Sequence, residues 1–130
     1  WVHAIDPNNP TISLLFSRAK IVWLGKTYIK HVGYLRFDGQ QIELRALKNV
    51  TVSNSNMSPE NSSVQIRSAS AQLDLALEFG REVLFKGPKD GALSRMIAHQ
   101  TDAKVEVSLT YENRRHQFQM VGNFEDIGSF

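Results

Sequence analysis

The groups in this chain that could move a proton are few and scattered. Its four histidines are His3, His31, His99 and His116. None has a His-x-His or His-x3-His spacing with a carboxylate partner, so no metal site is expected. His31 falls on the same predicted strand face as Ile29, Leu35 and Phe37, where a partly buried imidazole finds its place. Asp90 and Asp102 lie in or beside loops at strand ends, where a rigid scaffold can present reactive groups. Glu43, Asp74, Glu78 and Glu106 alternate with apolar residues and belong to water-facing strand faces. Asp90, Asp102 and His31 are therefore the candidate catalytic residues, as acids or bases. Trp23, Tyr28, Tyr34 and Phe85 are the candidate ligand-binding residues, because flat apolar rings with a few polar tips are what a hydrophobic ligand needs.

Other chemistry is excluded more firmly. The chain has no cysteine, which removes disulfides, zinc-thiolate sites and cysteine nucleophiles. Lys86-Gly87-Pro88-Lys89-Asp90-Gly91 has the wrong spacing for a phosphate-binding loop, and no strand-to-helix unit frames it. Fifteen Lys and Arg against thirteen Asp and Glu leave a net charge of +2. That is too balanced for a nucleic-acid partner to be expected. No apolar run reaches the roughly 18 residues of a membrane span. No cofactor is implied. The absence of cysteine in so small a domain points to a reducing compartment, and the cytoplasm is the expected location.

The elements that must position these residues read almost entirely as strands. Lys104 to Tyr111 and Gln72 to Phe79 alternate apolar and polar residues without a fault, giving each segment one dry and one wet face. Further strands are expected at Trp1–Ile5, Thr11–Ile21, Tyr28–Phe37, Gln41–Ser53, Val64–Arg67, Val83–Phe85 and Gln117–Gly122. Trp23-Leu24-Gly25-Lys26 is a corner, and Asp38-Gly39 is a hairpin signal because a type I′ turn needs positive φ. Asn54–Ser62 and Lys86–Gly91 read as loops, and Glu112 to Arg115 as a connection. Ala92 to His99 is the one helical expectation. The whole predicts a single all-β domain over residues 1–130, an antiparallel lipocalin-like barrel or sandwich of about eight to nine strands.

The run Ile12 to Gly25 followed by Gly33 resembles the tocopherol cyclase-like family, which shows an apolar strand, a Ser-x-Ala-x-Ile-Pro-x-Leu-Gly corner and a Gly-containing strand. Val22 stands here in the place of that proline. Trp1, the loop Phe85 to Gly91 and the stretch Gly122 to Gly128 are similar to further parts of the pattern, whereas the family's Arg-aromatic-Ala-Thr-Tyr stretch is represented only by Leu44 to Lys48. The resemblance implies the C-terminal half of a longer, two-lobed β-protein. A start at Trp1 in a strand-like segment, rather than at Met, suits such a piece. It also implies binding of a hydrophobic, isoprenoid-type small molecule, with cofactor-independent cyclisation as the reaction open to it. Closing a ring on a prenyl double bond needs a proton donor, drawn here from Asp90, Asp102, His31 or Glu43, and a dry aromatic wall to stabilise the carbocation. Two other readings stand beside it: a non-catalytic carrier of lipids or other hydrophobes, and a structural or interaction domain that packs against a missing N-terminal lobe or a second copy.

Overall fold

The computed structural model describes residues 1–44, 51–56, 62–67, 71–88, 90–91 and 96–129. Their regular elements are all strands: β1 (Val2–Ile5), β2 (Ser13–Trp23), β3 (Lys26–Phe37), β4 (Gln40–Glu43), β5 (Thr51–Asn56), β6 (Ser62–Arg67), β7 (Ala71–Lys86), β8 (Met96–Tyr111) and β9 (Arg114–Ser129). They form one antiparallel sheet in the order β4-β3-β2-β1-β9-β8-β7-β6-β5. The protein is thus all-β, a curled half-barrel consistent with a lipocalin-like barrel.

Period-two patterning produces the curl. Leu73, Leu75 and Leu77 on β7 lie opposite Leu109, Val107 and Val105 on β8. All six are buried. Each such side chain contributes about 1.5–3 kcal/mol when it leaves water. One sheet can dry these residues only by folding over its own face. Phe37 of β3 accordingly meets Tyr111, His116 and Phe118 of β8 and β9 at ring-centroid distances of 6.0, 5.1 and 5.8 Å, although β2 and β1 stand between them in the sheet. Val2, Leu14, Phe16, Leu35, Val64, Ile66 and Met120 complete a continuous core on the concave face.

Two glycines allow the neighbouring strands to coil at the border of this core. Gly33 is paired with Phe16 on β2, and Gly122 with Ala4 on β1. A Cβ on Gly33 would overlap the carbonyl of Leu15, and one on Gly122 the carbonyl of His3. Beyond this border the sheet divides into two arms. β1 pairs with β2 only over Ser13–Phe16, and β4 with β3 only over Tyr34–Phe37. Between them, Ser17 to Val32 is a two-stranded ribbon with no third strand beside it among the described residues. The second arm is formed by the far ends of β7, β8 and β9, which stay paired as far as Lys86↔Ile97 and Met96↔Ser129.

Several expectations are corrected. Met96 to His99 are the start of β8, not the end of a helix, and residues 92–95 lie outside the described residues. In this segment Ile97 faces Lys86 and Gly128, so tertiary pairing decides its conformation and not the local apolar spacing. Gln41 to Ser53 is not one strand: β4 and β5 are the opposite edges of the sheet, and residues 45–50 lie outside the described residues. The loops are also shorter than expected. Lys86 belongs to β7, Asn54–Asn56 to β5, and Arg114 and Arg115 to β9, leaving Glu112-Asn113 as a two-residue turn. Ser68-Ala69-Ser70-Ala71, whose small residues between two strand-like runs read as a bulge or tight connection, lies, except for Ala71, outside the described residues.

Gly33→Ala should lower stability by about 1–3 kcal/mol, because the added methyl has only backbone to displace. Gly80→Ala should cost much less, since its methyl meets the Asp102 Cβ at 3.3 Å. Urea denaturation of both variants checks this; equal midpoints would mean that the coil at Gly33 opens freely.

Candidate functional site

The register separates the candidate residues by face. On β2 and β3, Tyr34 lies opposite Leu15, Tyr28 opposite Ile21, and Trp23 opposite Lys26. Trp23, Tyr28 and Tyr34 therefore share the convex face, the face away from the core. The Arg36 guanidinium lies 4.9 Å from the centre of the Tyr34 ring. Trp23 and Tyr28 are exposed on the two-stranded arm, and Tyr34 is partly covered near its root. Phe85, also exposed, belongs to the other arm, on β7 opposite Ala98. The four candidate aromatics do not form one wall.

The candidate acids and His31 are likewise apart. His31 is on the concave side of the arm, paired with Arg18. Its ring stacks on the core residue Phe16 at 5.7 Å with 14° between planes, and its Nε2 is buried without a hydrogen-bond partner. Burial first, and the nearby Arg18 charge second, hold its pKa below the ordinary histidine value. A neutral imidazole with a buried nitrogen is a poor proton donor near neutral pH. Asp102 is exposed on the convex face of β8, opposite Asn123. Asp90 is exposed between β7 and β8. Glu43 is on β4 opposite Tyr34.

Asp102 does line a recess. A groove of about 550 Å³ on the convex face is bounded by His3, Ile5, Asp102, Val121 and the Glu78–Lys104 pair. Lys104 Nζ is 3.2 Å from Glu78 Oε1 across β7 and β8, an exposed contact of small energetic weight. A second groove of about 530 Å³ shares Glu78, Lys104 and Val121 and extends to Pro7 and Asn8. Its polar boundary, with Glu106 and Gln119, differs from the closed dry pocket that carbocation chemistry requires.

Sequence reasoning missed one pair. His99 Nδ1 is 2.5 Å from Glu82 Oε1 on the second arm. The register makes the pair, with Glu82 opposite Thr101 and His99 opposite Leu84. The helical reading of Ala92–His99 concealed it, because only a strand brings these two side chains to one face. Among the described residues no cluster of three or more His, Asp or Glu could hold a metal ion. No helix among them is long and apolar enough to cross a membrane.

The most continuous feature is apolar exposure. Ile21, Val22, Trp23, Leu24, Tyr28 and Ile29 are all exposed on the two-stranded arm, Leu24 at 87%. Val83, Leu84, Phe85 and Ile127 are exposed on the second arm. No family model, no curated protein and no solved structure matches the chain.

His31 gives a pH test. Its folded pKa is lowered, so the unfolded chain binds the proton first as pH falls. Stability from this group is complete above the unfolded value of about 6.5 and declines below it, towards the lower folded value. His31→Phe should flatten that decline in urea midpoints measured at about pH 7.5 and about pH 5. Parallel pH dependence in parent and variant would assign the effect to other groups.

Proposed function

We propose that this chain is a non-catalytic binding module that works through the apolar surface of its arms. The observation carrying this reading is the exposure of Ile21, Trp23 and Tyr28 on the convex face of the ribbon, of Val22 and Ile29 on its concave face, and of Leu24 at the tip that joins the two. Contiguous exposed apolar surface in a protein whose core is otherwise well buried marks a contact surface. An isolated two-stranded ribbon is also only marginally stable in water, so contact with a partner would stabilise the arm itself. The separation of His31, Asp90 and Asp102 favours binding over turnover.

A second reading is the one implied by the tocopherol cyclase-like resemblance: binding of an isoprenoid-type small molecule, with cyclisation as its chemistry. The convex groove favours it, since Ile5 and Val121 offer apolar wall and Asp102 a carboxyl at its edge. In this reading Asp102 is the proton donor and Trp23 is peripheral.

One measurement separates the two. The fluorescence of bis-ANS, a probe of apolar surface, should rise on mixing with the folded protein. Trp23→Ala should cut that signal by at least half without moving the urea midpoint, because Trp23 is exposed at the far end of the arm and is not part of the core cluster. Val121→Arg, which fills the groove, should leave it unchanged. The reverse pattern would transfer the site to the groove and favour the isoprenoid reading.

A further inference from the structure

The chemistry of the two-stranded arm narrows its partner. The segment from Pro7 to Phe37 contains Arg18, Lys20, Lys26, Lys30 and Arg36, five of the fifteen basic residues, and none of the thirteen acidic ones. The rest of the chain therefore holds ten basic residues against thirteen acidic. The charge is polarised although the total is only +2. The second arm differs: its apolar residues are mixed with Glu82, Glu125 and Asp126 as well as Arg81 and Lys86.

The turn at the tip is unusual in the same direction. Leu24 and Gly25 have φ of 49° and 72°, Asp38 and Gly39 have 47° and 71°, and Glu112 and Asn113 have 49° and 60°. All three are tight two-residue turns with positive φ at both positions, a geometry that favours Asn, Asp and Gly. Two of them place a polar residue first. The third places Leu24 there, where a bulky side chain is strained, and exposes it more than any other large apolar residue described. A turn that accepts strain in order to project leucine into water is poorly suited to water. Trp23 lies beside it, and an indole is well suited to a membrane interface.

From these observations we infer that the β2–β3 arm docks, tip first, on an anionic lipid surface. The proposal rests on the arm being the binding surface. Along a strand rising about 3.3 Å per residue, Ile21 and Tyr28 stand about 10–13 Å behind the tip, and Lys20 and Lys30 about 13–18 Å. Interfacial insertion of about 5–10 Å would immerse Val22, Trp23 and Leu24. Lys26 would then reach the headgroups by extending its stem, and Lys20 and Lys30 would stand within about one Debye length of them. A protein partner would have to offer an acidic rim around a deep apolar slot, whereas an anionic bilayer offers both everywhere on its surface.

The test is partition of the chain onto vesicles of phosphatidylcholine alone or with phosphatidylserine, followed by sedimentation. Binding is expected only with phosphatidylserine, and salt should weaken it. Replacing Lys20, Lys26 and Lys30 by Gln should lower the partition coefficient about 100-fold, at roughly fivefold per lysine. Leu24→Asn is the decisive variant, because it restores a favoured turn residue. Its urea midpoint should be unchanged or higher while partition falls about tenfold. In a Trp1→Phe background Trp23 is the single indole, and its emission should shift to the blue on vesicles containing phosphatidylserine. Failure to bind either vesicle, with the Trp23-dependent bis-ANS signal intact, would overturn the lipid surface and leave the arm as a site for protein, whether another chain or a second copy. Loss of both signals would overturn the arm reading itself. Equal binding to both vesicles would overturn the role of the lysines.

Discussion

Everything in this protein follows from one sheet having to bury one of its own faces. No helix or second sheet among the described residues covers the concave side, so β3 must approach β8 and β9 from across the curl. The contacts of Phe37 with Tyr111, His116 and Phe118 mark where it does so. That approach demands sharp coiling, and coiling brings the backbones at Phe16–Gly33 and Ala4–Gly122 closer than any side chain would permit. The glycines are therefore packing residues as much as flexible ones. They also fix where the core stops, because beyond them the flanking strands β1 and β4 give no further cover.

The fold class was legible because period two is a strong signal when repeated. Gln72–Phe79 and Lys104–Tyr111 announce their dry faces residue by residue, and both faces are buried as read. Where strands leave the core the code fails. Gly80 to Lys86 and Met96 to Gln100 have no continuous dry face, since most of their side chains see water on both sides. Pairing with a neighbour sets their conformation, and a single sequence does not carry that information. The helical reading of Ala92–His99 and the truncation of β7 and β9 share this cause. Gln41–Ser53 fails differently: two strands at opposite sheet edges were joined because nothing in their composition marks the residues between them.

For the candidate site, parity was readable and position was not. The alternation of β3 correctly put Tyr28 and Tyr34 on one face and His31 with Leu35 and Phe37 on the other. The same alternation separates His31 from Tyr28 and Tyr34, so a pocket built from all of them was never available on one strand. Asp102 joins His3 and Val121 only because β8, β9 and β1 are neighbours, which is a matter of topology. His99 and Glu82 were invisible for the same reason.

The arms show how the same alternation can serve opposite ends. Along β2 the concave positions run Leu14, Phe16, Arg18, Lys20, Val22, and the convex ones Leu15, Ser17, Ala19, Ile21, Trp23. Apolar character thus passes from the inner face to the outer one as the strand leaves the core. In a sheet built only to fold, the residues past the core would become polar on both faces, as water there rewards. On β3 the exchange does not occur, since Ile29 keeps to the concave face and Lys26 and Lys30 stand on the convex one, so apolar side chains reach water on both faces around a tip whose turn is strained by leucine. Stability of the folded core does not require apolar side chains on this arm, and it is on their exposure that the proposed contact surface rests.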